Sequence, residues 1–122
     1  MVNMEIDRGS EIVAILDRAN VKVSVALWAV LAEYEDWRLI LSARAFDALA
    51  LRKAYRLLDD SLDAEGIGVE KTPVVFIIPM TDPFIVELRK RFAKTKSVEG
   101  MRLGGQLIGG RFLEDAYVYR IK

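Results

Sequence analysis

The stretch Pro73-Val74-Val75-Phe76-Ile77-Ile78-Pro79-Met80-Thr81-Asp82-Pro83 holds a strand and a helix start side by side. Val74 to Ile78 are all apolar and lie between two prolines, the pattern of an inner strand covered on both faces. Asp82 then offers a side-chain acceptor to the orphan N–H groups of a first helical turn, and proline at the first helical position gives up no hydrogen bond. Phe84, Ile85, Leu88 and Phe92 follow at helical spacing and predict a helix from 83 to about 94.

Upstream, Ala48, Leu51, Ala54, Tyr55, Leu58 and Leu62 form the inner stripe of another helix, with Arg52, Arg56 and Asp60 facing outward. Asp47 is its expected cap, and Gly66 and Gly68 end it. Helices on both sides of a strand favour a parallel, right-handed crossover. Further back, Val21, Val23, Val25 and Leu27 alternate with Lys22 and Ser24, which predicts a strand running to Ala32. Val23, Leu27, Val30, Leu31 and Tyr34 also fit helical spacing, so a buried helix is the competing reading there. The polar segment Glu33 to Asp36 turns the chain into a β-prone run, Trp37 to Ala43, giving a first hairpin. Ile12, Ile15, Leu16 and Ala19 predict a short amphipathic helix over 10–19, with Ser10 as N-cap, Asn20 as terminator and residues 1–6 frayed.

Downstream, Lys94 to Gly100 reads as a loop, and Met101 to Ile108 with Arg111 to Ile121 as a second hairpin turning at Gly109 and Gly110. Gly104 and Gly105 offer an alternative turn, but the later pair leaves strands of more equal length. That register sets Leu107 against Phe112, Gly105 against Glu114, Leu103 against Ala116 and Met101 against Val118 on one side, which is apolar apart from Glu114. Glu114 either reaches solvent past Gly105 or sits in the core as an active-site candidate. The other side pairs Arg102 with Tyr117 and Gly104 with Asp115, with Tyr119 following. This is the composition of a cation–π pair at a subunit interface, and also of a platform for single-stranded nucleic acid, although no second aromatic row lies nearby in sequence. The expected architecture is therefore α+β, one domain over 1–122, with a mixed five-stranded sheet and packed helices in the order αββαβαββ.

Composition narrows the chemistry. The chain has 122 residues, 52% of them apolar, and that excess points to a subunit interface beyond an ordinary core, hence a homo-oligomer or a protein partner. No apolar run approaches the length of a membrane span, and no basic start followed by an apolar block marks a secretory signal, so a cytoplasmic location without membrane attachment is expected. With no histidine and no cysteine, thiol nucleophiles, Ser-His-Asp triads, histidine bases and Cys/His zinc sites are excluded. The glycines at 104, 105, 109 and 110 precede a strand-like run instead of a helix and match no phosphate loop or dinucleotide fingerprint. No cofactor or metal is expected, and no catalytic residue is assigned.

Charge is unevenly divided. Residues 1–70 carry 8 basic and 13 acidic residues, a net of −5, while residues 71–122 carry 10 and 5, a net of +5. Arg89, Lys90, Arg91, Lys94, Lys96 and Arg102 supply most of the positive half, and part of this cluster is what a helix C-terminus favours by itself. The candidate binding residues are Arg89, Lys90, Lys94, Lys96, Arg102 and Tyr117. Asp59, Asp60, Asp63 and Glu65 fit a solvated helix end, since their spacing matches no calcium loop. Trp28 and Trp37 are expected as core or interface anchors on the first hairpin.

The run Leu27-Trp28, then Trp37-Arg38-Leu39-Ile40-Leu41, and the ending Glu114-Asp115-Ala116-Tyr117-Val118-Tyr119-Arg120-Ile121 resemble short uncharacterised bacterial proteins with the same layout. The resemblance implies a compact bacterial protein and no catalytic activity. Three functions are carried forward: a non-enzymatic cytoplasmic domain that self-associates or binds a protein partner, a nucleic-acid binder acting through the basic helix end, and a carboxylate and metal phosphoesterase using Glu114 and Asp115.

Overall fold

A computed structural model describes residues 3–122. The chain runs through helix α1 (Asn3–Arg18), strands β1 (Val25–Leu31) and β2 (Arg38–Ser42), a short helix α2 (Arg44–Asp47), helix α3 (Leu51–Asp63), a 3₁₀ turn (Val69–Lys71) and strand β3 (Val75–Ile77). It closes with helix α4 (Pro83–Phe92) and strands β4 (Arg102–Leu103), β5 (Gln106–Ile108) and β6 (Arg111–Ile121). One mixed sheet results, ordered β3-β2-β1-β6-β4, with β5 also paired to β6. Only β2 and β3 run parallel, joined through α2 and α3, and every other pairing is antiparallel. The α+β class and the mixed sheet match the sequence. The sheet has six strands instead of five because Gly104 and Gly105 divide the first strand of the second hairpin.

Each face of the sheet carries its own core. On face A, Ile12, Ile15 and Leu16 of α1 and Ala54, Leu58 and Leu62 of α3 pack with Ala26, Trp28, Leu39 and Leu41. On face B, Phe84, Ile85 and Leu88 of α4 pack with Leu27, Ile40, Leu113, Ala116 and Val118. A strand covered on both sides must be apolar at every position, which is why Val25 to Leu31 defies simple alternation. The strand reading of this run is correct, although β1 starts at Val25; Val21 and Val23 are buried ahead of it.

Several local expectations are overturned by tertiary contacts. The inner strand expected at 74–78 is the sheet's edge: β3 pairs only with β2, and Val74 is 55% exposed. Its outward backbone is sealed by a side chain, since the Tyr55 hydroxyl accepts from Ile77 N–H at 3.0 Å and donates to Val75 O at 3.3 Å. Asp47 does not cap the long helix. Its carboxylate accepts from Met80 N–H at 3.1 Å, and α3 begins four residues later behind Ala50 with no side-chain cap. Ser10 is not an N-cap either, because α1 already runs from Asn3; of the six residues expected to fray, 1 and 2 lie outside the described residues and 3–6 are helical. By contrast, Asn20 ends α1 as expected, with a positive φ of 65° and hydrogen bonds from Asn20 N–H to Asp17 O and Val21 N–H to Leu16 O, a Schellman closure. Asp82 caps α4 as expected, accepting from Phe84 N–H at 2.9 Å with Pro83 at the first position.

The second hairpin turns at Gly109 and Gly110, both at positive φ, as a two-residue primed turn requires. The expected register holds: Arg102 faces Tyr117, Leu103 faces Ala116 and Leu107 faces Phe112. The expected sidedness does not. Against β1, the β6 register slips between Val30 and Leu31, where Asp115 and Leu113 are the successive partners and Glu114 is the extra residue. A one-residue bulge inverts everything beyond it. Leu107 and Phe112 therefore leave the face that holds Leu103, Ala116 and Val118, and lie 62% and 42% exposed. Glu114 is exposed, so it is no core carboxylate.

Candidate functional site

The bulge places Phe112, Asp115 and Tyr117 on face A, with Leu107 and Arg102 opposite Phe112 and Tyr117 on the neighbouring strands. Arg102 Nη2 reaches both Asp115 carboxylate oxygens, at 2.9 and 3.1 Å, and its guanidinium lies 6.0 Å from the centre of the Trp37 ring. The expected stacking of Arg102 on Tyr117 is replaced by these two partners. Tyr117 instead meets Tyr119 edge-to-face at 5.4 Å. Across the sheet the register aligns Leu39, Trp28, Tyr117 and Arg102 in one row. The aromatic neighbours absent from local sequence are therefore supplied by β1 and by Trp37, just ahead of β2.

Trp28 in this row also belongs to a hydrogen-bonded node. Trp28, only 3% exposed, donates from Nε1 to the Tyr119 hydroxyl at 2.9 Å, and that hydroxyl donates to Ile6 O at 2.5 Å. Burial pushes the Tyr119 phenol up to about 12, against the pull of the Trp28 N–H. Further along the second hairpin, its tip is held from three directions. Gly109 packs against the backbone of Pro83 and Phe84, Arg111 pairs with Glu33 at 3.1 Å, and Arg91 Nη2 donates to Leu107 O at 3.3 Å. Leu107 and Phe112 are thus presented to solvent on a fixed backbone.

The six candidate binding residues do not converge. Arg102 and Tyr117 belong to face A, whereas Arg89 and Lys90 ride on α4 over face B, with Lys94 and Lys96 in the loop beyond it. Arg89 Nε donates to Lys122 O at 2.7 Å, which ties α4 to the end of β6. Lys90, Lys94 and Lys96 are exposed and make no ion pair among the described residues. Sequence reasoning missed Leu107 and Phe112 as surface residues because alternation assigned them to the core. It also missed Arg38, whose guanidinium lies 5.5 Å from the Tyr34 ring and 5.6 Å from that of Phe76. The Glu114 and Asp115 pair makes no acid constellation: Asp115 is held by Arg102 and accepts from Ala116 N–H at 2.8 Å, and among the described residues no group of three acidic side chains converges on a cation position.

Compared with protein-family models, with curated proteins and with solved structures, the chain matches none.

Proposed function

We propose that this protein is a non-enzymatic cytoplasmic domain that self-associates, two copies packing through the face A side of the second hairpin. The observation that carries the reading is the directly opposed pair Leu107 and Phe112, 62% and 42% exposed on an anchored hairpin. Isolated exposed apolar residues are ordinary, but a preorganised cross-strand pair on the same face as Arg102 and Tyr117 is the composition of an interface core. A stable contact needs about 800 Å² from each partner, so it must extend from the hairpin tip across Arg102 to Trp37.

Charge favours a second copy as the occupant. The cation on this face, Arg102, already holds the Asp115 carboxylate, so the face meets its own duplicate without net repulsion. The α4 face carries Arg89, Lys90 and Arg91 against a single acid, Glu87, and repels itself.

Sedimentation over a micromolar concentration series tests this. A dimer is expected for the unaltered chain, and monomers with unchanged thermal stability for Phe112→Asp and Leu107→Asp. A unaltered chain that stays monomeric throughout, or a dimer indifferent to both substitutions, would sink the reading.

A further inference from the structure

At the far end of β6, the loop after α4 meets α1 along an open cleft of about 500 Å³, whose lining includes Ser10, Asp17, Thr95, Lys96, Glu99 and Arg120. Arg120 is its fixed point. Nη1 donates to Asp17 Oδ1 at 2.9 Å and to Val23 O at 3.0 Å, and Nη2 donates to Asp17 Oδ2 at 2.8 Å. The paired charges hold each other ionised, Arg120 bringing the Asp17 carboxyl below its usual range and Asp17 raising the guanidinium.

A guanidinium has five N–H donors. Asp17 and Val23 engage three of them, leaving Nε–H and the second Nη2–H without a partner among the described residues. Those two donors form the side-on edge of the fork, whose spacing matches two oxygens of a carboxylate or a phosphate. Because Asp17 already fixes the plane, little side-chain freedom is lost when an anion docks on that edge. Lys96 contributes an exposed ammonium to the same cleft, and Ser10 and Thr95 contribute hydroxyls. Glu99 opposes an anion, its field being strong enough to add to that of Asp17 on Arg120.

We infer that this cleft binds a small phosphate-bearing molecule, its phosphate seated on the Nε/Nη2 edge of Arg120 with Lys96 closing over it. The site is separate from the hairpin face and does not depend on self-association. Phosphate is the better match than a carboxylate because its additional oxygens also employ Lys96 and the hydroxyls.

The test is an NMR titration of the full, isotope-labelled chain with inorganic phosphate, then with glycerol phosphate, then with a single-stranded oligonucleotide. Saturable shifts confined to residues 10–17, 95–99 and 118–122 are expected with the two small probes. Lys96→Ala should weaken binding about tenfold, the loss of one charged hydrogen bond, and Glu99→Gln should tighten it severalfold. Arg120→Lys keeps the charge but removes the fork, and should abolish binding. Both Lys96 and Glu99 are exposed, so these two variants decide the matter even if Arg120→Lys fails to fold. The inference is overturned if phosphate gives no saturable shift in the millimolar range, or if Lys96→Ala and Glu99→Gln bind as the unaltered chain does. An oligonucleotide that binds more tightly than the small probes and shifts Lys90 and Lys94 ahead of the cleft also overturns it, placing phosphate recognition on the helix.

Discussion

Gly9 shows how one residue settles an argument between local preference and packing. Glycine inside a helix costs about 1 kcal/mol relative to alanine, so propensity alone predicts that Gly9→Ala stabilises α1. The added Cβ would, however, collide with the Tyr119 hydroxyl and lie 2.7 Å from Trp28 Nε1. That hydroxyl is pinned between the Trp28 donor and Ile6 O and has nowhere to go. Overpacking of this kind costs about 1–3 kcal/mol, so Gly9→Ala should lower the melting temperature, and a rise would show that the node gives way. The same node sets an alkaline limit. Tyr119 is raised from its usual 10.0 to about 12, so its contribution to stability is complete below pH 10 and is lost as pH climbs toward 12. Denaturant titrations across that window should fall more steeply for the unaltered chain than for Tyr119→Phe. The variant itself should be weaker by about 1–3 kcal/mol at neutral pH, since the Trp28 donor loses its acceptor.

Among the elements, β3 is the one whose position could not follow from its composition. An all-apolar run between prolines reads as a central strand, yet β3 forms only three pairs, all with β2, and occupies an edge. It stays apolar because Ile77 faces one core while Phe76 packs against the other. An exposed edge strand invites pairing with another chain, and Tyr55 occupies the outward groups of Val75 and Ile77. Tyr55→Phe should cost about 1–3 kcal/mol and increase light scattering on mild heating, as strands of neighbouring molecules find an open edge. At the other edge, Arg91 engages the outward carbonyl of Leu107 in a similar way. The second hairpin was legible to the residue in its turn and register, because, of the two glycine pairs, only Gly109 and Gly110 leave strands of comparable length on either side of a primed turn. Its faces were not, because a bulge at Glu114 leaves no mark in apolar alternation.

For the molecule as a whole, β1 is the shared wall of both cores. Leu27 is fully buried on face B, while Trp28 reports on face A. Leu27→Ala should cost about 2–5 kcal/mol, and its unfolding followed by Trp fluorescence and by far-UV circular dichroism should coincide. Separate transitions would mean that the two layers fold independently. The charge asymmetry seen along the chain becomes an asymmetry across the sheet: α1 and α3, from the acidic half, cover face A, and α4, from the basic half, covers face B.

The order of the main helices and strands, a strand running through 25–31, the caps at Asn20 and Asp82, the turn at Gly109 and the absence of histidine and cysteine chemistry were written in the sequence, because each depends on a residue and its near neighbours; the short helix α2, the start of β1 and the sixth strand were not. The edge position of β3, the start of α1, the outward turn of Leu107 and Phe112, the separation of Arg102 from Lys90 and Lys94, and the fork left open on Arg120 were decided only by the tertiary structure. Each depends on which distant surface a segment meets, and a contact between residues about a hundred positions apart, such as Trp28 with Tyr119 or Asp17 with Arg120, has no local signature to read.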